Sequence, residues 1–233
     1  MASLPSIFFD AIHLFYPHNC TGCGSDLLND DQLLCLQCIN LLPHTNFAQH
    51  ANNPIEKIFW GRIPLVAAHS EFYFAKETLL QHLIHQLKYK GNQEIGFFLG
   101  ELMGNSLLNS NRFKNLDYLL PLPLYPEKER KRGYNQAAVI CKGISARMQI
   151  PVMEGNLVRR RFTETQTKKH RRERWENVVD SFLVKDPAIL INRNLLLVDD
   201  VITTGASLES CGHAIAQSAD VKLSIATLSM AIK

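Results

Sequence analysis

Residues 195–207 read Leu-Leu-Leu-Val-Asp-Asp-Val-Ile-Thr-Thr-Gly-Ala-Ser, and no other stretch restricts the fold of this chain as much. Four apolar residues in succession describe a buried parallel strand, which ends at the carboxylates Asp199 and Asp200. A loop of small residues follows (Thr203, Thr204, Gly205, Ala206, Ser207), and then a helix expected over 206–218. In open α/β sheets ligands bind beyond the carboxyl ends of the strands. A glycine-containing loop there can aim backbone N–H groups and hydroxyls at a phosphate, assisted by the positive end of the following helix. Asp199 and Asp200 would repel a phosphate that touched them, so they suit the hydroxyls of an attached sugar, or a metal bridging sugar and phosphate. The run predicts a sugar-phosphate site. Its plain alternative is a buried strand ending in an Asp-rich turn before an ordinary helix cap.

The rest of the chain supplies neighbours for such a strand. Residues 6–15 place Ile7, Phe8, Ala11, Ile12 and Phe15 on one helical face. Without a basic leader or a small-residue cleavage site, they read as a packing helix and not a signal peptide. Residues 44–54, rich in Asn and Gln, read as a linker, and 63–75, with Phe72, Tyr73 and Phe74, as a strand pair at a sheet edge. Leu79, Leu80, Leu83, Ile84 and Leu87 recur at helical spacing over 77–90, ending in the basic turn Lys88-Tyr89-Lys90 and the C-cap glycine Gly91. Helices are also expected over 94–108 and 135–148, the second preceded by a basic loop, 128–133. Strands are expected near 117–120, 152–157, 181–184, 195–198 and 223–228. Strands alternating with helices argue for an α/β fold with a mainly parallel sheet flanked by helices. With 233 residues, 46% of them hydrophobic, the chain can bury a full core and carry a small appendage. No apolar stretch is long enough to span a bilayer, and a cytoplasmic location is expected.

The appendage is marked by Cys20-x-x-Cys23 and Cys35-x-x-Cys38, eleven residues apart. Paired knuckles of this kind let four thiolates converge on one structural Zn2+, with Gly22 and Gly24 permitting the tight turn. Disulfides are the main alternative, which a cytoplasmic compartment opposes; a thioredoxin-like role lacks a surrounding βαβ pattern. His18 and His44 flank the cluster and are substitute ligands, although four thiolates already complete the shell. Residues 1–50 are therefore expected to form an N-terminal helix and zinc-binding module, and residues 51–233 the principal domain. Cys141 and Cys211 fall in expected helices and read as small buried apolar residues.

Charge is unevenly distributed. Residues 127–174 carry 14 Lys/Arg against 5 Asp/Glu, a net of +9, while the whole chain is only +3. So concentrated a block suits a polyanion, either pyrophosphate or nucleic acid, and otherwise forms a solvated helix face.

With these residues in view, 195–207 resembles the PRPP-binding loop of type I phosphoribosyltransferases. The resemblance implies that Asp199 and Asp200 meet the ribose hydroxyls as the catalytic pair and that Thr203–Ser207 wraps the 5′-phosphate. Leu119-Leu120-Pro121-Leu122-Pro123 followed by Arg132-Gly133-Tyr134-Asn135-Gln136 stands where that family has its first core strand and pyrophosphate loop. Lys128, Arg130, Lys131 and Arg132 would neutralise pyrophosphate, and Asn135 and Gln136 would donate from a helix start. Arg159-Arg160-Arg161-Phe162-Thr163-Glu164-Thr165-Gln166-Thr167, then Arg174-Trp175-Glu176-Asn177-Val178 and Phe182, are similar to a further pattern. In the same order with the cysteine knuckles and Lys-Tyr-Lys-Gly, these motifs resemble the ComF competence-protein family from about residue 7 to residue 228. Lys169 departs from the leucine usual there.

Two functions follow from the resemblance. In one, the chain is a ComF-like protein that binds PRPP and Mg2+ and acts in DNA uptake for natural transformation. Lys168, Lys169, Arg171, Arg172 and Arg174 would then track single-stranded DNA, with Trp175 available to stack. The zinc module would dock a competence helicase or a recombination mediator. In the other, it is an active PRPP-dependent phosphoribosyltransferase of nucleotide metabolism, with Arg159, Arg161 and Gln166 as hood or phosphate contacts. No residue identifies its acceptor, and no glutaminase nucleophile is seen.

Overall fold

A computed structural model of the chain describes residues 19–26, 28, 32–159, 181–217 and 221–231. Four strands, β1 (Ala68–Phe74), β2 (Tyr118–Pro121), β5 (Asn194–Ile202) and β6 (Lys222–Ala231), form an all-parallel sheet in the order β1-β6-β5-β2. Two short strands, β3 (Leu157–Arg159) and β4 (Phe182–Val184), pair antiparallel beside it. The helices are α1 (Leu36–Asn40), α2 (Pro54–Phe59), α3 (Leu79–Tyr89), α4 (Gln93–Leu108), α5 (Pro126–Arg132), α6 (Gln136–Met148) and α7 (Ala206–Ala216). This is the expected fold class: a mainly parallel sheet flanked by helices, with four cysteines gathered near the N-terminal end.

The Leu-Leu-Leu-Val run lies inside β5, between β2 and β6, and needs no polar alternation because both faces are covered. Leu196 and Val198 pack with α3, α4 and α6, whereas Leu195 and Leu197 pack with α2, α7 and the β3–β4 pair. The cysteine segment belongs to the first of these cores: Cys20, Leu34, Cys38 and Leu42 are buried with Leu80, Leu83 and Phe72.

Helices α4 and α6 touch through glycine. A Cβ at Gly100 would run into the Ile140 carbonyl oxygen, and one at Gly143 into the Phe97 carbonyl oxygen. Two helical backbones meet here without side chains between them, which brings α6 close enough to cover β5 and β2 together.

Several local expectations are corrected. Residues 44–54 are not a free linker: Phe47 and Ala48 are buried, Thr45 N–H donates to Glu71 O (2.9 Å), and Tyr73 N–H donates to Pro43 O (2.9 Å). Asn53 both caps α2 and donates its amide to Ala68 O (2.7 Å), so polar composition here serves backbone satisfaction instead of solvation. Residues 63–75 hold one strand and not two; residues 43–45 lie along one side of β1 and β6 pairs with the other. The basic loop 128–133 is largely the helix α5. Pro126 opens it, Glu127 and Glu129 sit at its positive end, Arg130, Lys131 and Arg132 sit at its negative end, and Gly133 terminates it. Near 152–157 a single bridge, Val152 to Leu119, precedes β3. The expected helix over 6–15 and His18 lie outside the described residues.

Candidate sugar-phosphate site and four-cysteine cluster

The loop after β5 wraps a cavity of about 90 Å³ lined by Asp199, Ile202, Thr203, Thr204, Gly205 and Ser207. Its shape depends on one glycine. Gly205 has φ 76°, and a Cβ there would also lie 2.9 Å from Ile58 Cγ2 and 3.0 Å from Phe59 Cε1. Helix α7 starts immediately afterwards at Ala206 and directs its first N–H groups toward the loop. Arg62 braces the outside: it donates to Ile58 O (3.0 Å) and Thr204 O (3.2 Å) and pairs with Glu209 in the first turn of α7. The cavity is sized for one phosphate-like group, with hydroxyls and N–H groups around it and a clamp behind.

The two acids separate as strand alternation requires. Asp199 lines the phosphate-sized cavity, and Asp200 lines a larger opening beside α3. Burial and the adjoining Asp200 carboxylate push Asp199 up to about 8, against the N–H of Asp200 (2.8 Å from Asp199 Oδ1) and the cations Lys88 and Arg159, which pull it down. Solvent still reaches part of Asp199, so a ligand can too. Asp200 is paired with Lys88 Nζ at 2.8 Å. On the Asp199 side of β5, Cys211 is fully buried with Leu195 and Leu197, and burial pushes its thiol up, toward the neutral form.

The other expected site residues are distributed along one flank. Lys128 is exposed on α5, 6.0 Å from the Tyr125 ring, and the Arg132 guanidinium lies 5.7 Å from the Tyr89 ring. Asn135 is a helix cap: its Oδ1 accepts from Ala137 N–H (3.0 Å) and its amide donates to Leu122 O (3.0 Å). Gln136, 2% exposed, has an Nε2 without a hydrogen-bond partner among the described residues, so it retains a donor for a ligand. The Arg159 guanidinium stacks on Tyr125 at 3.7 Å, with Phe182 on another side at 5.0 Å, close enough to Asp199 to act on its charge. Arg161, Gln166, Lys168, Lys169, Arg171, Arg172, Arg174 and Trp175 lie outside the described residues.

Two residues at the site were not singled out by the sequence. Lys88 was visible as part of a basic helix end, but its pairing with Asp200 bridges over a hundred residues of chain. Arg62 carried no local signal, since its partners Thr204 and Glu209 are contributed by the far end of the sequence.

The four cysteines Cys20, Cys23, Cys35 and Cys38 converge, with all Sγ atoms within 4.8 Å of one another and Cys23 Sγ 3.7 Å from Cys35 Sγ. Ligands about 2.3 Å from a tetrahedral Zn2+ stand about 3.8 Å apart, so the donor set and its spacing fit that ion. Burial opposes ionisation of Cys20, but N–H groups of Cys35, Cys23 and Gly22 outweigh it and draw the thiol down to about 6. Burial and the three neighbouring sulfurs push Cys38 up. The cluster is compatible with a structural zinc site, held by thiolates alone.

No family model matches the chain. It is similar to the DNA utilization protein YhgH of Escherichia coli (strain K12), 29% identical over 197 residues that cover 81% of this chain and 80% of that protein. It is 27% identical over 202 residues to competence protein F of Haemophilus influenzae, covering 84% and 83% of the two chains. Competence protein ComFC of Bacillus subtilis is 25% identical over 149 residues, covering 63% and 58%. Among solved structures it is similar to the glutamine phosphoribosylpyrophosphate amidotransferase from B. subtilis complexed with ADP and GMP, with a TM-score of 0.44 and 13% identity. That likeness covers 62% of this chain and spans only 30% of the amidotransferase. A four-cysteine cluster ahead of a parallel α/β core thus accompanies similarity to proteins named competence protein F, competence protein ComFC and DNA utilization protein.

Proposed function

We propose that this protein binds PRPP with Mg2+ at the end of β5 and acts in the handling of DNA taken up during natural transformation. The observation that carries the first half is the arrangement of Asp199, Asp200 and the 203–207 loop at the end of a central parallel strand, around a cavity of phosphate size. In this reading Thr203, Thr204, Gly205, Ala206 and Ser207 hold the 5′-phosphate, and Asp199 and Asp200 accept from the ribose hydroxyls. Lys128, Arg132, Asn135, Gln136 and Arg159, with Arg161 and Gln166, receive the pyrophosphate; Asn135 does so through the helix start it caps. Mg2+ prefers carboxylate and phosphate oxygens, and Asp199 and Asp200 are the hard donors available to hold it with the ligand. When bound it neutralises charge between pyrophosphate and acids.

The second half is supported by the names of the relatives, which are competence and DNA utilization proteins, and by the +9 block at 127–174. Lys168, Lys169, Arg171, Arg172 and Arg174 are the candidates for backbone contact with single-stranded DNA. The zinc module, held by Cys20, Cys23, Cys35 and Cys38, is the candidate dock for a helicase or recombination mediator. Thermal denaturation tests the pocket: PRPP with Mg2+ should raise the midpoint, and no rise at saturating ligand would contradict it. A titration of single-stranded DNA binding against salt tests the basic block, where a flat plot of log K against log salt would exclude backbone contact.

A second reading, transfer of the phosphoribosyl group to an acceptor, is favoured by the opening beside α3, which leaves room next to the ribose acids. Pyrophosphate release in the presence of candidate bases and amines separates it from binding alone.

A further inference from the structure

The four clustered cysteines are unequally protected. Cys20 and Cys38 are each 3% exposed and Cys35 9%, whereas Cys23 stands open to solvent. A small oxidant arriving from solution therefore meets Cys23 first. Cys35 Sγ lies 3.7 Å from Cys23 Sγ, across the two knuckles, and a disulfide needs about 2.05 Å between sulfurs. Cys20 Sγ is otherwise engaged, since it accepts from Cys35 N–H at 3.3 Å. An exposed thiolate with a second one at its side is the arrangement of an attacking and a resolving cysteine. The remaining two, Cys141 and Cys211, are wholly buried in the core.

The exposed sulfur belongs to a turn that clasps a helix. A Cβ at Gly22 would lie 2.9 Å from Cys38 Sγ and 2.9 Å from Leu79 Cδ1, so the knuckle backbone is wedged between the cluster and the start of α3. Gln86 Nε2, one face further along α3, donates to Thr21 O at 3.1 Å. The same residue's N–H donates to Leu33 O at 3.0 Å, which ties the turn to the segment ahead of α1. Residues 20–24 thus join α3 to the second knuckle, and the clasp is shaped by the sulfurs it encloses.

We propose that Cys23 is an oxidation site for a hydroperoxide, and that its conversion to a Cys23–Cys35 disulfide opens the cluster and frees α3 from the clasp. This rests on the reading of the four cysteines as a zinc site. The Cys23 thiolate attacks one peroxide oxygen, the O–O bond breaks, and a sulfenic acid and hydroxide form. The Cys35 thiolate then attacks the Cys23 sulfur and displaces a second hydroxide. Two thiolates have lost two electrons, and hydrogen peroxide has become two hydroxides. Cys20 and Cys38 alone remain as ligands, too few to hold Zn2+. A thiol reductant with Zn2+ restores the closed cluster.

Hydrogen peroxide added to the zinc-loaded full chain tests this, with metal release read by a chromogenic chelator, disulfides by peptide mapping and α3 by amide exchange. Zinc should leave in step with a Cys23–Cys35 disulfide, and exchange over 82–89 should quicken about tenfold, reversed by dithiothreitol with Zn2+. Cys23→His keeps a zinc ligand that peroxide does not convert to a disulfide, so release should slow at least about tenfold. Equal release from wild type and Cys23→His, a disulfide that omits Cys23, or equally fast oxidation of Cys141 and Cys211 would overturn the oxidation site. Unchanged exchange in α3 after the disulfide has formed would overturn the clasp. A purified chain that holds no zinc, and takes none up when reduced, would overturn the zinc reading instead.

Discussion

Glu71 on β1 and Asp199 on β5 are carboxylates drawn from water by the same sheet, and the chain treats them in opposite ways. Glu71 Oε1 lies 2.8 Å from His44 Nδ1 and accepts from Ser106 Oγ at 2.9 Å, while its Oε2 lies 2.8 Å from His69 Nε2. Burial alone would raise its pKa, yet these partners hold the carboxyl below its ordinary value. Asp199 receives one N–H from its neighbour and faces a second carboxylate, so burial and repulsion win. The cysteine cluster stands between the two, since its sulfurs oppose one another's ionisation and fit a shared Zn2+ that would complete them. Polar groups completed by their own chain hold the fold together. An acid such as Asp199, left short of partners at the mouth of a cavity, is kept at a cost to stability, as strongly perturbed groups at ligand sites often are.

That contrast can be broken experimentally, and the largest effect should come from the cysteines. Chelation, or Cys35→Ser, should lower the unfolding free energy by roughly several kcal/mol and expose the amides of residues 36–42 to exchange. Because Gln86 Nε2 donates to Thr21 O (3.1 Å) and Gly22 packs on Leu79, protection should weaken at α3 also, whereas the 203–207 loop should keep its ligand affinity. Unchanged exchange throughout α3 would show that the cysteine segment is a separate unit.

Next in size, Glu71→Ala should cost about 3 kcal/mol in denaturant unfolding, since it strands the buried His69. Asp199→Asn should be neutral or stabilising by about 1 kcal/mol, because it removes the cost of holding an ionisable carboxyl buried beside Asp200. Equal losses for the two would erase the distinction. The smallest effect is in the pH dependence, where the signs oppose. Glu71 binds its proton less readily in the fold than its ordinary 4.5, so its contribution is present above that pH and is lost as pH falls through the folded value. Asp199, raised from 3.8 to about 8, contributes fully below 3.8 and loses that contribution as pH rises toward 8. Glu71→Gln should flatten the acid limb of the stability profile, and Asp199→Asn the slope between those two values.

Much of this arrangement was legible in the sequence because its signals are local. Four consecutive apolar residues before Asp199 specify a covered strand, and two CxxC pairs specify a cluster, with no need of distant partners. Helix ends were within two residues where Gly91 or Asn135 marked them. What was missed depends on distant contacts. The Asn-rich stretch at 44–54 docks because β1 needs a partner for its free edge. The basic run at 128–132 is helical because Pro126 and two glutamates order its first turn, which outweighs the repulsion of its cations. Lys88 and Arg62 became site residues only when the fold brought them to Asp200 and Thr204.

Calorimetric titration of PRPP with Mg2+ into the wild type and the Asp199→Asn/Asp200→Asn variant measures the central claim most directly. The wild type should bind, and the variant should lose at least about tenfold in affinity, as expected for hydrogen bonds accepted by charged groups, while keeping its fold. Identical isotherms for the two proteins would contradict the assignment of the β5 carboxylates to a sugar-phosphate ligand.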